Sequence, residues 1–148
     1  MFNLSFQEKS AWGTLAASLV VGALYFSSVW NLWRGDLLDA PVMLKLALGY
    51  TVFLVVVLVA YHVLAASLSR PEDEDERDRL IGWRAAAAGG LVMGFGVMAV
   101  VVQIVLEGLF GGFLTDSPIL IANALLLVVL IATVVELAIK LYFYRRGF

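Results

Sequence analysis

Cysteine is absent from this 148-residue chain, and histidine occurs once, at His62. Without cysteine there is no disulfide, no thiolate metal site and no redox-active pair, although the absence does not identify a compartment. One histidine cannot build a closed zinc site, and a haem held by two histidines would need a symmetric dimer. The sequence also lacks a phosphate-binding loop, a nucleophile elbow and an HExxH motif. We therefore expect no catalytic residues, no metal and no cofactor.

Charge is scarce as well. Charged residues make up 15% of the chain and hydrophobic residues 62%, and the mean hydropathy is +0.94. A soluble domain of this size must cover much of its surface with polar atoms, so the composition indicates a single integral membrane domain. The formal net charge is only −2, and the basic residues are dispersed. Nucleic acid is therefore not expected as a partner.

The apolar residues fall into four runs, each longer than the roughly 20 residues that span a bilayer as a helix. The runs cover residues 12–33, 41–68, 83–106 and 118–144. They lack the alternation of a membrane β-barrel, so the predicted fold is an all-α four-helix membrane bundle. Short links within each pair predict two antiparallel hairpins, joined by a charged loop at 69–82.

The segment before the first run, residues 1–10, is interpreted as an interfacial stretch leading into an uncleaved helix. A cleaved signal peptide is the alternative. It is disfavoured because the apolar run is longer than a typical signal-peptide core and Lys9 is the only basic residue ahead of it.

The distribution of lysine and arginine predicts the orientation. One side of the membrane would carry only Arg34 and Lys45. The other would carry eight basic residues: Lys9, Arg70, Arg77, Arg79, Arg84, Lys140, Arg145 and Arg146. Basic residues favour the cytoplasmic side, so both chain ends and the charged loop are predicted to be cytoplasmic.

A faint internal repeat links the two hairpins. The turn from Gly35 to Pro41 and the turn from Gly112 to Pro118 share the pattern G-x3-D-x-P, displaced by 77 positions. In each, the aspartate (Asp39 or Asp116) is expected to cap the helix that follows. Hairpin duplication is one interpretation and would relate the hairpins by a pseudo-two-fold axis along the membrane normal. The alternative is that any two turns that start helices use such residues.

The charged segment holds six acids and three arginines between Arg70 and Arg79. Acid-first i,i+4 pairs, Asp73–Arg77 and Asp75–Arg79, and a capping box from Ser69 to Glu72 predict that the third helix begins before the membrane. A calcium loop is the alternative, disfavoured because no glycine occupies the sixth position. The residues predicted to form a cytoplasmic contact surface are Asp75, Glu76, Arg77, Asp78 and Arg79.

The run DERDRLI at 75–81, followed by Arg84, Ala85 and a helix of small residues, resembles an uncharacterised family of small prokaryotic four-span membrane proteins. That family has a DERD-x-I segment between its second and third spans. The resemblance implies a multi-pass protein of the prokaryotic inner membrane with an accessory or regulatory role. It transfers no catalytic residues.

Small residues recur at every fourth position in the third run, at Ala86, Gly90 and Gly94. Such a stripe lets helix backbones approach closely in lipid. We expect it to pack within the monomer, and a homodimer contact is the alternative.

Few polar residues lie within the runs. Gln103 and Asn123 are expected to form interhelical hydrogen bonds, and Glu107 to be interfacial. His62 and Glu136 are candidates for function, because ionisable groups in a membrane are costly. Both lie about 12–13 Å from the basic residues that end their runs, so we expect a pair; the alternative is Glu136 paired with Lys140, one turn on.

These observations favour a non-enzymatic accessory or regulatory protein that contacts the bilayer and either a protein partner or further copies of itself. Residues 70–84 would be its contact surface. One alternative is a small oligomeric transporter or channel in which His62 and Glu136 respond to protons or a ligand. The other is a membrane subunit of a larger complex.

Overall fold

The computed structural model describes residues 6–68 and 75–146, and almost all of them are helical. The described residues form four α-helices: α1 (Phe6–Arg34), α2 (Ala40–Leu68), α3 (Glu76–Phe110) and α4 (Pro118–Arg146). All four are long and apolar enough to cross a membrane. The predicted all-α multi-pass fold is confirmed. The helix α1 begins six residues before its predicted span, and α3 begins seven residues before its own. The predictions covered only the apolar runs, whereas each helix also includes the polar turn that precedes its run.

The two turns between hairpin helices start the next helix differently. The backbone N–H of Val42 donates to Asp39 Oδ1 at 2.8 Å, so Asp39 caps α2 as predicted. At α4 the prediction of Asp116 is wrong. The cap there is Ser117, which directly precedes Pro118 and whose Oγ accepts from the N–H of Ile119 at 3.3 Å.

The helix α3 begins in the charged segment, before the apolar run, as predicted. Asp75 is its N-cap, and its carboxylate accepts from the N–H of Asp78 at 2.7 Å. That carboxylate forms no ion pair with Arg79 among the described residues, because the helix start occupies it. The predicted Asp73–Arg77 pair and the capping box at 69–72 involve residues outside the described ranges.

The helices contact one another in the order α2–α1–α4–α3. The helix α1 packs on both α2 and α4, and α4 packs on both α1 and α3. Within the described residues α2 and α3 share no comparable contact. A pseudo-two-fold along the membrane normal would need α3 to contact α2 as α1 contacts α4, so that arrangement is not formed.

One end of the bundle, here termed the terminal end, gathers the starts of α1 and α3 and the ends of α2 and α4. Tyr61 donates to the carbonyl of Lys9 at 2.6 Å. Arg145 Nε lies 3.8 Å from Glu8 Oε1, and Arg84 lies over the ring of Phe143. The first and last described helices thus have their outer ends on one side, as the hairpin prediction requires. Assignment of that side to the cytoplasm stays a prediction.

Candidate functional site

The inner face of α3 packs on α4 through small residues. Ile81 and Ala85 are 0% exposed, and Gly89 is buried. A Cβ atom added to Gly89 would lie 2.9 Å from Glu136 Cβ, and one added to Gly96 would lie 2.5 Å from Val128 Cγ1. Gly89 and Gly96 therefore allow the close approach of α3 to α4.

The stripe predicted for this role lies on the opposite side of α3. Ala86, Gly90 and Gly94 are exposed, and a Cβ atom added to Gly90 or Gly94 would meet nothing within 4 Å. The prediction that the stripe packs within the monomer is therefore wrong. Successive residues point about 100° apart around a helix, and α4 covers Gly89 and leaves Gly90 uncovered. The homodimer contact stays a prediction.

The uncovered side of α3 continues from the membrane into the charged segment. Glu76, Leu80 and Trp83 lie on successive turns in line with Gly90 and Gly94, and Trp83 is 76% exposed. We call the surface formed by these five residues the open face of α3. A shallow groove at its charged end is lined by Glu76, Arg79, Leu80 and Trp83.

The five residues predicted as a contact surface all lie in or next to the first turn of α3. Asp78 is half-buried and the other four are exposed. None of the five forms an ion pair within residues 6–68 and 75–146. Buried Ile81 and Ala85 hold the underside of this segment against the bundle. The structure thus presents these charges on a fixed helical surface.

The imidazole of His62 is held between two helices near the terminal end. Its Nε2 lies 2.9 Å from Ser10 Oγ of α1, and its Nδ1 lies 2.7 Å from the carbonyl oxygen of Leu58. Because that carbonyl can only accept, Nδ1 donates, and in a neutral ring Nε2 accepts from Ser10. Tyr61 lies edge-on to the ring. Both ring nitrogens therefore have partners in α1 and α2.

The predicted pair of His62 and Glu136 is not formed. The side chain of Glu136 points from α4 towards α3, where its Oε2 lies 3.0 Å from the Cβ position of Gly89. His62 lies in α2, on the far side of α1 from α4 in the contact order. Spacing along a helix does not decide which neighbour a helix face meets.

The Glu136 carboxylate is half-buried. In the part of the chain that the structure describes, it has no ion pair or hydrogen bond, either with Lys140 or with another side chain. The alternative pairing with Lys140 is therefore also not formed. Glu136 is thus a carboxylate beside a glycine at a helix contact, without a polar partner among the described residues.

Asn123 is an interhelical hydrogen bonder, as predicted. Its Oδ1 accepts from Tyr25 Oη of α1 at 2.9 Å, and its Nδ2 lies 3.3 Å from Met43 Sδ of α2. Asn123 is buried where α1, α2 and α4 meet. Gln103 was expected to act likewise, but it donates within α3, to Glu107 Oε1 at 2.8 Å. The interhelical prediction for Gln103 is wrong.

Glu107 has a larger structural role than an interfacial position indicates. It is buried, and its Oε2 accepts from the N–H of Thr115 at 2.9 Å. A Cβ atom added to Gly112 would lie 2.2 Å from Glu107 Cγ, so only glycine lets the turn close over this side chain. The acid at the helix end and the glycines after it were visible in the sequence, but their contact depends on how the turn folds.

No group of three or more histidine, cysteine, aspartate or glutamate side chains is placed to hold a metal ion among the described residues. Comparison with protein-family models, with curated proteins and with solved structures finds no match. The resemblance to a prokaryotic four-span family stays a prediction.

Proposed function

We propose that this chain is a non-enzymatic accessory or regulatory protein that binds another integral membrane protein through the open face of α3. The observation that carries the proposal is the division of α3 into two faces. One face uses Gly89 and Gly96 to pack on α4, while the open face keeps Gly90 and Gly94 uncovered. Glycine in lipid permits a second helix to approach closely, which favours helix association in membranes.

The open face combines three kinds of surface that suit a protein partner. Gly90 and Gly94 would admit a transmembrane helix of the partner. Trp83 supplies an exposed aromatic ring at the point where α3 leaves the apolar run, and such rings are frequent anchors of interfaces. Glu76 and Arg79 supply both signs of charge at the end of the groove, which would fix the orientation of the partner.

A photo-crosslinking residue at Trp83, in the full chain in its native membrane, tests this proposal. The same residue at Phe53, an exposed aromatic position of α2, is the matched control. We expect a covalent adduct to a different membrane protein from position 83 and none from position 53. Gly94→Ile should abolish the adduct. Gly49→Ile should not, since Gly49 of α2 is equally uncovered.

Adducts of equal yield from both positions would overturn the proposal. An adduct of twice the chain's own mass would identify the partner as a second copy of this chain, which favours the homo-oligomer. A partner recovered in fixed stoichiometry would make the chain a subunit of a larger complex.

A second candidate is a transporter that responds to protons, and the isolated Glu136 carboxylate favours it. Ionisable groups within membrane spans often mark ion or proton pathways. Reconstituted into liposomes with an internal pH dye, the chain would then show proton flux that Glu136→Gln removes. His62→Leu is the comparison variant, because the structure does not place His62 beside Glu136. Absence of any flux through the unaltered chain would exclude this candidate.

A further inference from the structure

A cavity of about 140 Å³ lies among α1, α2 and α4. Its lining includes Ser18 and Tyr25 of α1, Tyr50 and Thr51 of α2, and Leu130 of α4. Ser18 lies near the middle of α1 (Phe6–Arg34), so the cavity is at mid-span rather than at either end. Thr51 is exposed on the outside of the bundle, which connects the cavity to the surrounding lipid.

The hydroxyl of Ser18 lacks the partner that most other helical hydroxyls have. Ser18 is only 5% exposed, and neither it nor Thr51 makes a side-chain hydrogen bond to any described residue. Five other hydroxyls donate to a carbonyl three or four residues earlier in their own helix: Thr14, Ser27, Ser28, Ser67 and Thr133. A buried polar group at mid-bilayer has no water to replace that partner. Ser18 is thus a free donor that faces a cavity.

The other polar groups around the cavity are already engaged. Tyr25 donates to Asn123 at 2.9 Å, and Tyr50 Oη lies 3.0 Å from Ser28 Oγ. The two tyrosines therefore present ring surfaces to the cavity. Leu54 and Leu130 complete apolar walls. The site thus offers one buried hydroxyl, that of Ser18, within an aromatic and aliphatic lining, while Thr51 lies on its exposed, lipid-facing side.

We infer that this cavity binds a small bilayer-soluble molecule, about one aromatic ring in size, that carries a hydrogen-bond-accepting carbonyl. The Ser18 hydroxyl would donate to that carbonyl. The size fits, because an apolar cavity of about 150 Å³ holds a benzene ring. Water is a poor occupant, since it needs two to four polar partners. A lipid acyl chain would leave Ser18 unsatisfied, and lipid ester carbonyls lie at the edge of the hydrocarbon rather than at its centre.

Photolabelling of the purified full chain with para-azidoacetophenone tests the inference. Acetophenone, which has the carbonyl, and ethylbenzene, which lacks it, compete for the label. We expect label on α1 or α2 at the cavity lining, with acetophenone protecting at about tenfold lower concentration than ethylbenzene. In Ser18→Ala the label should still attach, but acetophenone and ethylbenzene should protect at equal concentrations. Thr133→Ala, which removes a hydroxyl bonded within its own helix, should leave the preference unchanged.

Equal protection by the two competitors in the unaltered chain would overturn the inference, as would a preference that survives Ser18→Ala. If Ser18→Ala does not fold, Ala47→Leu replaces it, because Ala47 also lines the cavity and a leucine there would fill it. Ala47→Leu should remove protection by both molecules. Protection that persists in a folded Ala47→Leu chain would place the label elsewhere and refute the site.

Discussion

Two neighbouring glycines of α3 provide a direct test of which face of this helix packs on α4. We consider the variants Gly89→Ala and Gly90→Ala. Both add one methyl group to the same helix, so the gain in helix propensity, about 0.5–1 kcal/mol, is the same in each. The difference between the two variants in free energy of unfolding therefore reports packing alone.

The structure provides the size of that difference. The methyl of Gly89→Ala would lie 2.9 Å from Glu136 Cβ and 3.3 Å from the Ala132 carbonyl oxygen. Carbon atoms in contact prefer about 3.5–4.0 Å. Glu136 Cβ is attached to the backbone and cannot rotate away, so α3 and α4 must separate. Overpacking of this kind costs about 1–3 kcal/mol, whereas the methyl of Gly90→Ala meets nothing within 4 Å.

We therefore expect Gly89→Ala to be less stable than Gly90→Ala by about 1–3 kcal/mol. Reversible unfolding by a denaturing detergent in mixed micelles, followed by far-ultraviolet circular dichroism, measures both free energies. Gly49→Ala on α2 is the control, since Gly49 is also uncovered, and it should behave as Gly90→Ala does. Equal stability of the Gly89 and Gly90 variants would refute the assigned packing of α3 on α4.

Three further predictions follow from the same structure. Reporters fused to the C-terminus and inserted in the α3–α4 turn should report opposite sides of the membrane, with the C-terminus cytoplasmic; an external C-terminus would contradict the orientation. The effects of His62→Leu and Glu136→Gln on the free energy of unfolding should add within about 0.3–0.5 kcal/mol in a double-mutant cycle, because the two side chains do not meet. A larger coupling energy would show that the two side chains interact after all. Glu107→Ala should raise the amide hydrogen exchange of Thr115 about tenfold, since it removes the acceptor of that N–H, and an unchanged rate would show that the turn does not depend on it.

The sequence alone was sufficient to predict the four helices and their antiparallel pairing in hairpins. In lipid every backbone polar group must be satisfied within the segment, so a long apolar run has one structural solution. Local chemistry also predicted the cap at Asp39 and the start of α3 ahead of its apolar run. The error at Asp116 is a local one: two capping residues stand side by side before Pro118, and the helix uses Ser117.

The polar residues were predicted with mixed success, because spacing along a helix does not determine which side chains of other helices lie beside it. The spacing predicts that His62 and Glu136 pair, but the two residues lie in helices that α1 separates in the contact order. Asn123 formed the expected interhelical bond, while Gln103 found an acceptor one turn further along its own helix. The unpartnered hydroxyl of Ser18 had no sequence signal at all, since most similar hydroxyls in this chain bond to their own helix.

The choice of face on α3 was decided only by the tertiary structure. Apolar residues surround this helix on all sides in the membrane, so hydrophobicity does not distinguish an inner face from an outer one. Small residues occur on both faces, Gly89 and Gly96 on one and Gly90 and Gly94 on the other. The sequence thus determined that α3 can pack closely. Contact with α4 determined which glycines do so, and left the others open to lipid or to a partner.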